Sequence, residues 1–521
     1  MMQNQIEYNF NNTYNKQIFK HSFYYIFSLV VFLFVSCSKE TNPETIVQIT
    51  EGTEITGFSF LQSDNPSLNS DINLVINNNI ITGKVPFGGD ITNLIADFEH
   101  NGSEVVIDNI NQISGTTYNN YSKVVTYTVR TSDAQEQSYD VKVSYFTGLP
   151  IFNIDTNGVP IDSKEDYREG FVTTFGGLNF DDLQSTEMEI RGRGNSTWYV
   201  HPKKPYQLKF NSKNEALGMP EEKKWIFLAE HSDKTLMRNK IAFEMGYISN
   251  LDWTPQSHYA EVFVNDEYNG TYNISEKVEA SPNRVALGNA GYLLEIDQLD
   301  RLDEDDVYFY TGSFLINIKE PELVLNSSEY NYAKDLLNNF EANLMSNQFN
   351  NSTTGYTSYI DTASFIDWYL ISEITKNQDS RNFSSIFLNV IPGGKIKMGP
   401  LWDFDLAFGN VDYSECEYPT GFWVKDNAWF NRLFEDPEFV NQVKTRFAYF
   451  RENQNFILDK MDYYADYLDL AQQENNDKWD VIGNYTWPNP VVYNTYEEEV
   501  AHLKNWYIQR MNWLDTALNE L

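Results

Sequence analysis

Residues 400–409 read PLWDFDLAFG, and a second stretch at residues 188–210 reads MEIRGRGNSTWYVHPKKPYQLKF. The first stretch places Asp403 and Asp405 in an apolar, aromatic setting. The second is cationic and punctuated by glycine, although the chain as a whole has a formal net charge of −36. Carboxylates that ligate Mg²⁺ and basic groups that bind phosphate oxygens are the two halves of a phosphoryl-transfer site. The two stretches therefore predict one site that is built from distant parts of the chain.

The basic stretch contains residue types that bind phosphate. Arg191 and Arg193 alternate with two glycines, which let the backbone approach an anion, and arginine binds phosphate oxygens through paired hydrogen bonds. The strand expected at residues 205–210 places Lys209 on the face opposite its apolar residues. A lysine after a glycine loop is the order of kinase-like nucleotide sites. A structural β-hairpin with solvated arginines and lysine would explain the same pattern.

Asp379 and the later acids are predicted to be neighbours. A helix leads into Asp379, and strands at residues 385–390 and 395–399 enclose a Pro-Gly-Gly turn before Asp403. Because a hairpin brings its two open ends together, Asp379 should lie close to Asp403 and Asp405. One acid could then position or deprotonate an acceptor hydroxyl while another holds Mg²⁺. Helix capping or turn formation would also account for these acids.

The residues before the basic stretch predict a separate all-β domain. Short alternating segments between Asn, Gly, Ser and Asp clusters fill residues 44–146 and are typical of an Ig-like β-sandwich. Val124–Arg130 and Ser138–Tyr145 flank a polar turn and should form its closing hairpin. The domain has no clustered His or Cys and no acid pair, so we expect a spacer, with glycan or protein binding as the alternative.

Residues 147–521 are expected to form one large α+β domain, atypical and kinase-like, after a linker at Thr147–Pro150. Its first half is rich in strand patterns such as YQLKF and GYLLEID, and its second half is mostly helical. The spacing of apolar residues predicts helices at Ser327–Ser352, Thr362–Thr375, Glu438–Leu458 and Glu497–Leu518. The sequence lacks the GxxxxGK[ST] pattern, which argues against a P-loop NTPase.

The N-terminus indicates export and lipid anchoring. The apolar run Phe23–Val35 is short for a membrane span but suits a signal peptide, assigned to residues 1–36. Cys37 directly after a serine resembles a bacterial lipobox, which implies cleavage before Cys37, lipidation of its sulfur and a tether at residues 37–43. We expect a protein anchored in the bacterial cell envelope, on the outer membrane, facing the periplasm or the surface. A plain signal peptide with an incidental cysteine is the alternative.

Charge and cysteine content narrow the classes of function. With 74 Asp and Glu against 38 Lys and Arg, the chain is not expected to bind nucleic acid or anionic membrane surfaces. Cys416 is the one cysteine besides Cys37, so no intramolecular disulfide is expected once Cys37 is lipidated. Acidic neighbours should raise the pKa of Cys416 and leave its thiol inert.

A further group of acids comprises Glu295, Asp297, Asp300 and residues 303–306. These acids could serve a metal-dependent hydrolase. No histidine lies near them in the sequence, however, and a solvated or calcium-binding loop explains the group more simply.

Six motifs in this order resemble the CotH (spore coat protein H) kinase family: IRGRGNSTW, KKPYQLKF, KKWIFLAEHSDKTLMRNKIAFEM, NGTYNISEKVE, GYLLEID and PLWDFDLAFG. The resemblance covers about residues 149–518. It implies an atypical kinase-like fold that uses ATP and Mg²⁺ (or Mn²⁺ or Ca²⁺) to phosphorylate hydroxyl groups of secreted or envelope proteins. Asp379 matches the family's catalytic-loop aspartate, and Asp403 and Asp405 match its metal-binding motif.

The resemblance also implies supporting residues around the nucleotide. Lys209, with Arg191 and Arg193 nearby, is the candidate for contacting the phosphates, and Glu276 is a candidate partner for that lysine or for a metal. Arg238 falls in another family motif, where it could bind the cofactor or support the structure.

Two features of the match leave alternatives open. Asn382 stands three residues after Asp379, closer than the family's second metal ligand, and is the candidate for that role. Trp402 and Tyr206 could stack on adenine or pack into the core. Because ATP is scarce outside the cytoplasm, the competing hypothesis is a non-catalytic surface lipoprotein that uses the same fold for binding or scaffolding, for example in polysaccharide handling.

Overall fold

A computed structural model describes residues 51–68, 70–85, 89–176 and 179–521, the side chains of residues 144 and 145 excepted. Glu51–Leu521 forms one compact unit. The predicted signal peptide, the predicted lipidation site at Cys37 and the predicted tether lie outside the described residues. Within those described ranges, no helix is both long and apolar enough to cross a membrane.

The first part of the described chain is built of β-strands. These are β1 (Ile55–Phe60), β2 (Ile72–Asn73), β3 (Val75–Asn77), β4 (Ile80–Val85), β5 (Leu94–Ile95), β6 (Asp97–His100), β7 (Glu104–Ile107), β8 (Ile110–Asn111), β9 (Tyr118–Asn119), β10 (Val125–Arg130) and β11 (Glu136–Tyr145). The strand orders are β2-β1-β6, β3-β4-β11-β10-β7-β8 and β5-β9. The two larger sheets share one apolar core, in which the Phe58 and Tyr127 ring centroids are 5.2 Å apart. The predicted closing hairpin is confirmed, since β10 and β11 pair antiparallel with Val125 opposite Val141.

The segment expected as a linker is packed into the molecule. Thr147, Leu149 and Pro150 are buried, and Leu149 belongs to the core of the following region. The Pro150 carbonyl accepts a hydrogen bond from the Glu261 amide at 2.8 Å. Buried backbone needs such partners, so this junction is anchored to the region that follows it.

The next strands close into a barrel. They are β12 (Ile151–Asp155), β13 (Arg168–Phe175), β14 (Leu183–Gly192), β15 (Tyr206–Ala216), β16 (Met219–Leu228), β17 (Ser257–Val264) and β18 (Glu267–Glu276). Neighbours pair in the order β12-β13-β14-β15-β16-β18-β17, and parallel pairing of β12 with β17 closes the ring. The alternation in these strands buries Ile190, Leu208 and Phe227 together in one core.

A five-stranded sheet follows, in the order β20-β21-β19-β22-β23. Its strands are β19 (Tyr292–Asp297), β20 (Tyr308–Tyr310), β21 (Leu315–Glu320), β22 (Ile386–Val390) and β23 (Lys397–Met398). All neighbours are antiparallel, and Leu388 of β22 lies opposite Met398 of β23. The predicted hairpin between Asp379 and Asp403 is therefore confirmed.

Helices pack on this sheet and on the barrel, and most of them complete the largest core. They are α1 (Ser196–Val200), α2 (Arg238–Tyr247), α3 (Ser328–Leu344), α4 (Thr362–Ile374), α5 (Ala428–Leu433), α6 (Pro437–Glu452), α7 (Gln454–Tyr467), α8 (Asp469–Trp479) and α9 (Tyr496–Asn519). Helices are found at all four predicted places, and the Ser327 side chain caps α3 by accepting from the Tyr330 amide. The one predicted at Glu438–Leu458 is divided at Asn453, inside the polar run RENQN. The prediction of a mixed α+β fold is confirmed.

Candidate active site

A cavity of about 380 Å³ lies between the barrel and the five-stranded sheet. The barrel side contributes the basic stretch, the sheet side contributes β19 and β21, and the WDFD turn adds its acids. The charged residues that line it are Lys164, Glu165, Arg191, Arg193, Glu230, Lys277, Glu295, Asp297, Arg301, Asp303, Lys319, Glu320, Asp379, Asp403 and Asp405, together with His231. Residues of the stretches 188–210 and 400–409 thus line the same cavity.

The three predicted acids line this cavity together. Asp379 begins a one-turn 3₁₀ helix, Asp379–Arg381, just before β22. Asp403 and Asp405 lie in the turn that follows β23, five and seven residues after its end at Met398. The hairpin of β22 and β23 returns the chain to its starting point, which is why acids far apart in sequence share one wall.

The backbone at Asp403 is held in an uncommon conformation. Its φ of +67° lies in the left-handed region that side chains other than glycine rarely adopt. The Asn377 side chain donates to the Asp403 carbonyl at 3.0 Å, and the Asn239 side chain accepts from the Phe404 amide at 2.7 Å. Such strain persists where surrounding contacts enforce it, and it is concentrated at functional sites.

Ser385 links the acids of the turn to those of the sheet. Its hydroxyl donates to Asp403 Oδ2 at 3.2 Å, and its amide donates to Glu295 Oε1 at 3.1 Å. Ser385 itself has a φ of +59°. Glu295 and Asp297, which the sequence suggested only as a separate acid cluster, therefore belong to the same cavity.

Burial and repulsion from neighbouring acids raise the pKa values of Asp379, Glu295 and Asp405. Burial raises the pKa of Asp379 to about 7, with the Asp403 charge as the next cause. Burial likewise raises the pKa of Glu295 to about 8, followed by repulsion from Asp297. Burial and then the Asp403 charge hold the pKa of Asp405 well above its ordinary value. These carboxyl groups therefore bind protons, or a cation in their place, more readily than exposed carboxyl groups do.

Basic side chains face the acids across the cavity. The Arg193 guanidinium lies 5.3 Å from the Trp402 ring centroid, and burial lowers its pKa against the opposing pull of Asp403, Glu295 and Asp405. Lys319 Nζ lies 3.8 Å from Glu295 Oε2. These cations give the cavity the groups that bind phosphate oxygens.

The acids fit a divalent cation that is shared with a phosphate ligand. Among the described residues, no three His, Cys, Asp or Glu side chains are grouped as a complete metal cage. Mg²⁺ does not need one, because it is commonly held by one or two carboxylates, waters and substrate phosphates. Asp403 and Asp405 are oxygen donors whose crowded charges a cation would stabilise.

Lys209 and Glu276 are not brought to the cavity wall. Lys209 forms an ion pair with Glu189 at 2.6 Å, and its side chain is 37% exposed. Glu276 is buried beside Arg284 and accepts from the Gln256 amide at 2.8 Å. The neighbour of Glu276, Lys277, lines the cavity instead, and burial lowers its pKa to about 8.

Arg238 and Asn382 also lie off the cavity wall. Arg238 is buried in an ion pair with Asp233, and its Nε donates to the Ala407 carbonyl at 3.2 Å. It thereby supports the end of the PLWDFDLAFG stretch. Asn382 is exposed, and its carbonyl accepts from the Gln298 side chain at 3.0 Å. Of the two aromatic candidates, Trp402 lines the cavity, whereas Tyr206 packs in the barrel core.

Glu230 is a cavity residue that the sequence argument missed. Burial, followed by repulsion from Asp233, raises its pKa to about 8. The Asn239 side chain donates to both Glu230 oxygens, at 3.2 and 3.1 Å. Because Asn239 also holds Phe404, Glu230 is joined to the WDFD turn. Glu230 lies in the motif AEHSDKTLMRNK, which matches the family, and that position could have identified it as a candidate.

A family model described as CotH kinase protein matches residues 190–514. The match spans more than half of the chain and includes both halves of the cavity. The chain therefore belongs to the CotH kinase protein family, as the sequence motifs predict.

No curated protein matches the chain. A solved structure from Bacteroides thetaiotaomicron, provisionally described as a glycoside hydrolase, aligns with 57% of this chain and 89% of its own at 13% identity. Its TM-score is 0.14, which establishes no shared fold.

Proposed function

We propose that this chain is a protein kinase of the cell envelope that transfers the γ-phosphate of ATP to hydroxyl groups of secreted or envelope proteins. The observation that supports it is the single cavity in which Asp379, Asp403 and Asp405 face Arg191 and Arg193. Phosphoryl transfer depends on positioning and on charge stabilisation, and this cavity has groups for both.

Each wall of the cavity has a proposed part in binding ATP. Trp402, Phe387 and Val278 provide apolar surface for the adenine base. Arg193 and Lys319 contact phosphate oxygens. Asp403 and Asp405 hold Mg²⁺, or Mn²⁺ or Ca²⁺, which when bound neutralises the charge of the β- and γ-phosphates.

Asp379 is the proposed general base. A pKa of about 7 means that it is substantially ionised at neutral pH and still basic enough to accept a hydroxyl proton. Its position before the hairpin places it on the same wall as the metal-binding acids.

The test uses the soluble chain from residue 40, γ-labelled ATP and Mg²⁺ or Mn²⁺, with secreted and envelope proteins as acceptors. We expect labelled protein from the wild type and at least a hundredfold less from Asp379→Asn. Asp335→Asn changes an exposed acid on α3 and should retain the wild-type rate. Wild-type protein that neither binds nor hydrolyses ATP would leave the non-catalytic binding or scaffold function in its place.

We also propose that Cys37 carries the lipid anchor that places the protein in the envelope. Incorporation of labelled palmitate should occur in the wild type and be lost in Cys37→Ala. Unchanged labelling of the variant would refute this anchor without bearing on the kinase proposal.

A further inference from the structure

Lys376 occupies a backbone position that normally belongs to glycine. It follows α4 with a φ of +46°. Its amide donates to the Glu373 carbonyl, and the Asn377 amide donates to the Ser372 carbonyl, both at 3.1 Å, in the pattern of a Schellman helix end. A side chain in this left-handed conformation costs about 1 kcal/mol relative to glycine. The lysine therefore stands at a position where the backbone conformation favours glycine.

The Lys376 side chain is fully engaged with the segment that follows the WDFD turn. Its Nζ donates to the carbonyls of Glu415, Tyr418 and Thr420 at 2.5, 3.0 and 2.6 Å. The residue is 1% exposed, so all three ammonium donors are used on backbone acceptors. We call Ser414–Asn427 the clamped segment.

A second buried cation holds the clamped segment from the other side. Arg510 of α9 donates to the Pro419 and Gly421 carbonyls at 3.1 and 2.7 Å. The same guanidinium binds Glu373 at 2.6 Å, and Glu373 accepts from the Trp423 amide at 2.8 Å. The segment is thus fixed to α4 and to α9 through its own backbone.

The clamped segment supports the turn that carries Asp379. Trp423 Nε1 donates to the Gln378 carbonyl at 3.2 Å, and the Asn427 side chain donates to the Arg381 carbonyl at 2.5 Å. The Arg381 guanidinium lies 4.8 Å from the Trp423 ring centroid. The residues on both sides of Asp379 therefore rest on the segment.

We propose that Lys376 is a positioning residue, which fixes the clamped segment and through it Asp379, without covalent modification of the segment. In protein kinases the segment after the metal-binding acid is commonly ordered by phosphorylation, through new arginine–phosphate pairs. Here Lys376 and Arg510 bind the carbonyls of the segment instead. The consequence for catalysis rests on the proposed kinase function, whereas the structural claim does not.

The variant Lys376→Gly removes the hydrogen bonds to the clamped segment without disturbing the helix end. Glycine keeps the left-handed helix end and relieves its strain, while the three hydrogen bonds to the segment are lost. We expect amide hydrogen exchange in residues 414–427 and 379–383 to accelerate at least about tenfold. Lys395→Gly, in the exposed turn between β22 and β23, makes the same chemical change away from the segment and should leave exchange there unchanged. Lys376→Met, which retains the apolar stem, repeats the test if the glycine variant is poorly folded.

The catalytic consequence is measured with the same variants. Phosphate transfer should fall about tenfold or more in Lys376→Gly with the Kd for ATP unchanged, because the cations that face the nucleotide lie elsewhere. Unchanged exchange in both Lys376 variants overturns the inference. Phosphatase treatment that loosens the segment of the wild type also overturns it. A wild type that neither binds nor hydrolyses ATP refutes the proposed kinase function, and the exchange measurement still decides the role of Lys376.

Discussion

The pKa of Asp379 is raised first by burial and second by the charge of Asp403. Its pKa of about 7, against an ordinary value of 3.8 for aspartate, should be visible in the metal-free protein by NMR of labelled aspartate carboxyls. Asp403→Asn removes the repulsion and should lower the pKa of Asp379, whereas Asp335→Asn should not change it. As a base, Asp379 must be ionised, so transfer should fall about tenfold per pH unit below the pKa that Asp379 has in the loaded enzyme. That pKa lies below the metal-free value, because a bound cation offsets the Asp403 charge. A wild-type value near 4 would contradict the assignment.

Single residues were predictable where local geometry determined their position. The hairpin placed Asp379 beside Asp403 and Asp405 because turn residues and strand patterns are local signals. Lys209, the candidate for contacting the phosphates, lies outside the cavity lining. Gln207 lines the cavity, and a step of two residues moves the side chain about 7 Å along the strand. Alternation alone cannot resolve that difference.

Gly409 ends the stretch PLWDFDLAFG and fixes how it joins the next element. Its φ is +78°, and an added Cβ would lie 2.7 Å from Trp506 Cδ1 and 2.9 Å from the Glu417 carbonyl oxygen. The Trp506 indole, which donates to that carbonyl at 2.8 Å, would have to move. We expect Gly409→Ala to lower the free energy of unfolding by about 3 kcal/mol or more.

Gly393 offers a matched control for that substitution. Its φ is +82°, but nothing lies within 4 Å of its added Cβ. Gly393→Ala should therefore show only the backbone term, about 1 kcal/mol. Chemical denaturation of both variants measures the difference. Equal losses would mean that Trp506 can move away freely, contrary to the packing at this turn.

Elements were predictable to the extent that their signals are local. The hairpin β10–β11 and the capped helix α3 follow from turn chemistry, alternation and a serine cap. The barrel was not predicted, because its closure pairs β12 with β17, about 100 residues later in the chain. The division at Asn453 was also missed, since a polar run within a helical pattern does not show where one helix ends.

At the scale of the whole molecule, buried and half-buried histidines link stability to pH. Burial is the first cause that lowers the pKa of His231 to about 3 and those of His201, His258 and His502 to about 4, from 6.5. A folded-state pKa below the unfolded value means that the folded protein favours the neutral ring. This stabilisation is fully present above pH 6.5 and is lost as the pH falls toward 4. Buried acids act in the opposite sense, because Glu230, with a pKa of about 8, favours its protonated form in the folded state.

His258 allows the histidine contribution to be measured alone. It lies on β17 with its ring centroid 4.8 Å from that of Phe180, so His258→Phe retains an aromatic contact and removes the titrating group. A shift from 6.5 to about 4 corresponds to at most about 3 kcal/mol. We expect the wild type to lose up to that much more unfolding free energy than the variant between pH 7 and pH 4. Comparison of the two proteins at pH 8 isolates the packing change, since the ring is neutral there. Parallel stability curves from pH 8 to pH 4 would contradict the expected preference of the folded protein for the neutral His258 ring.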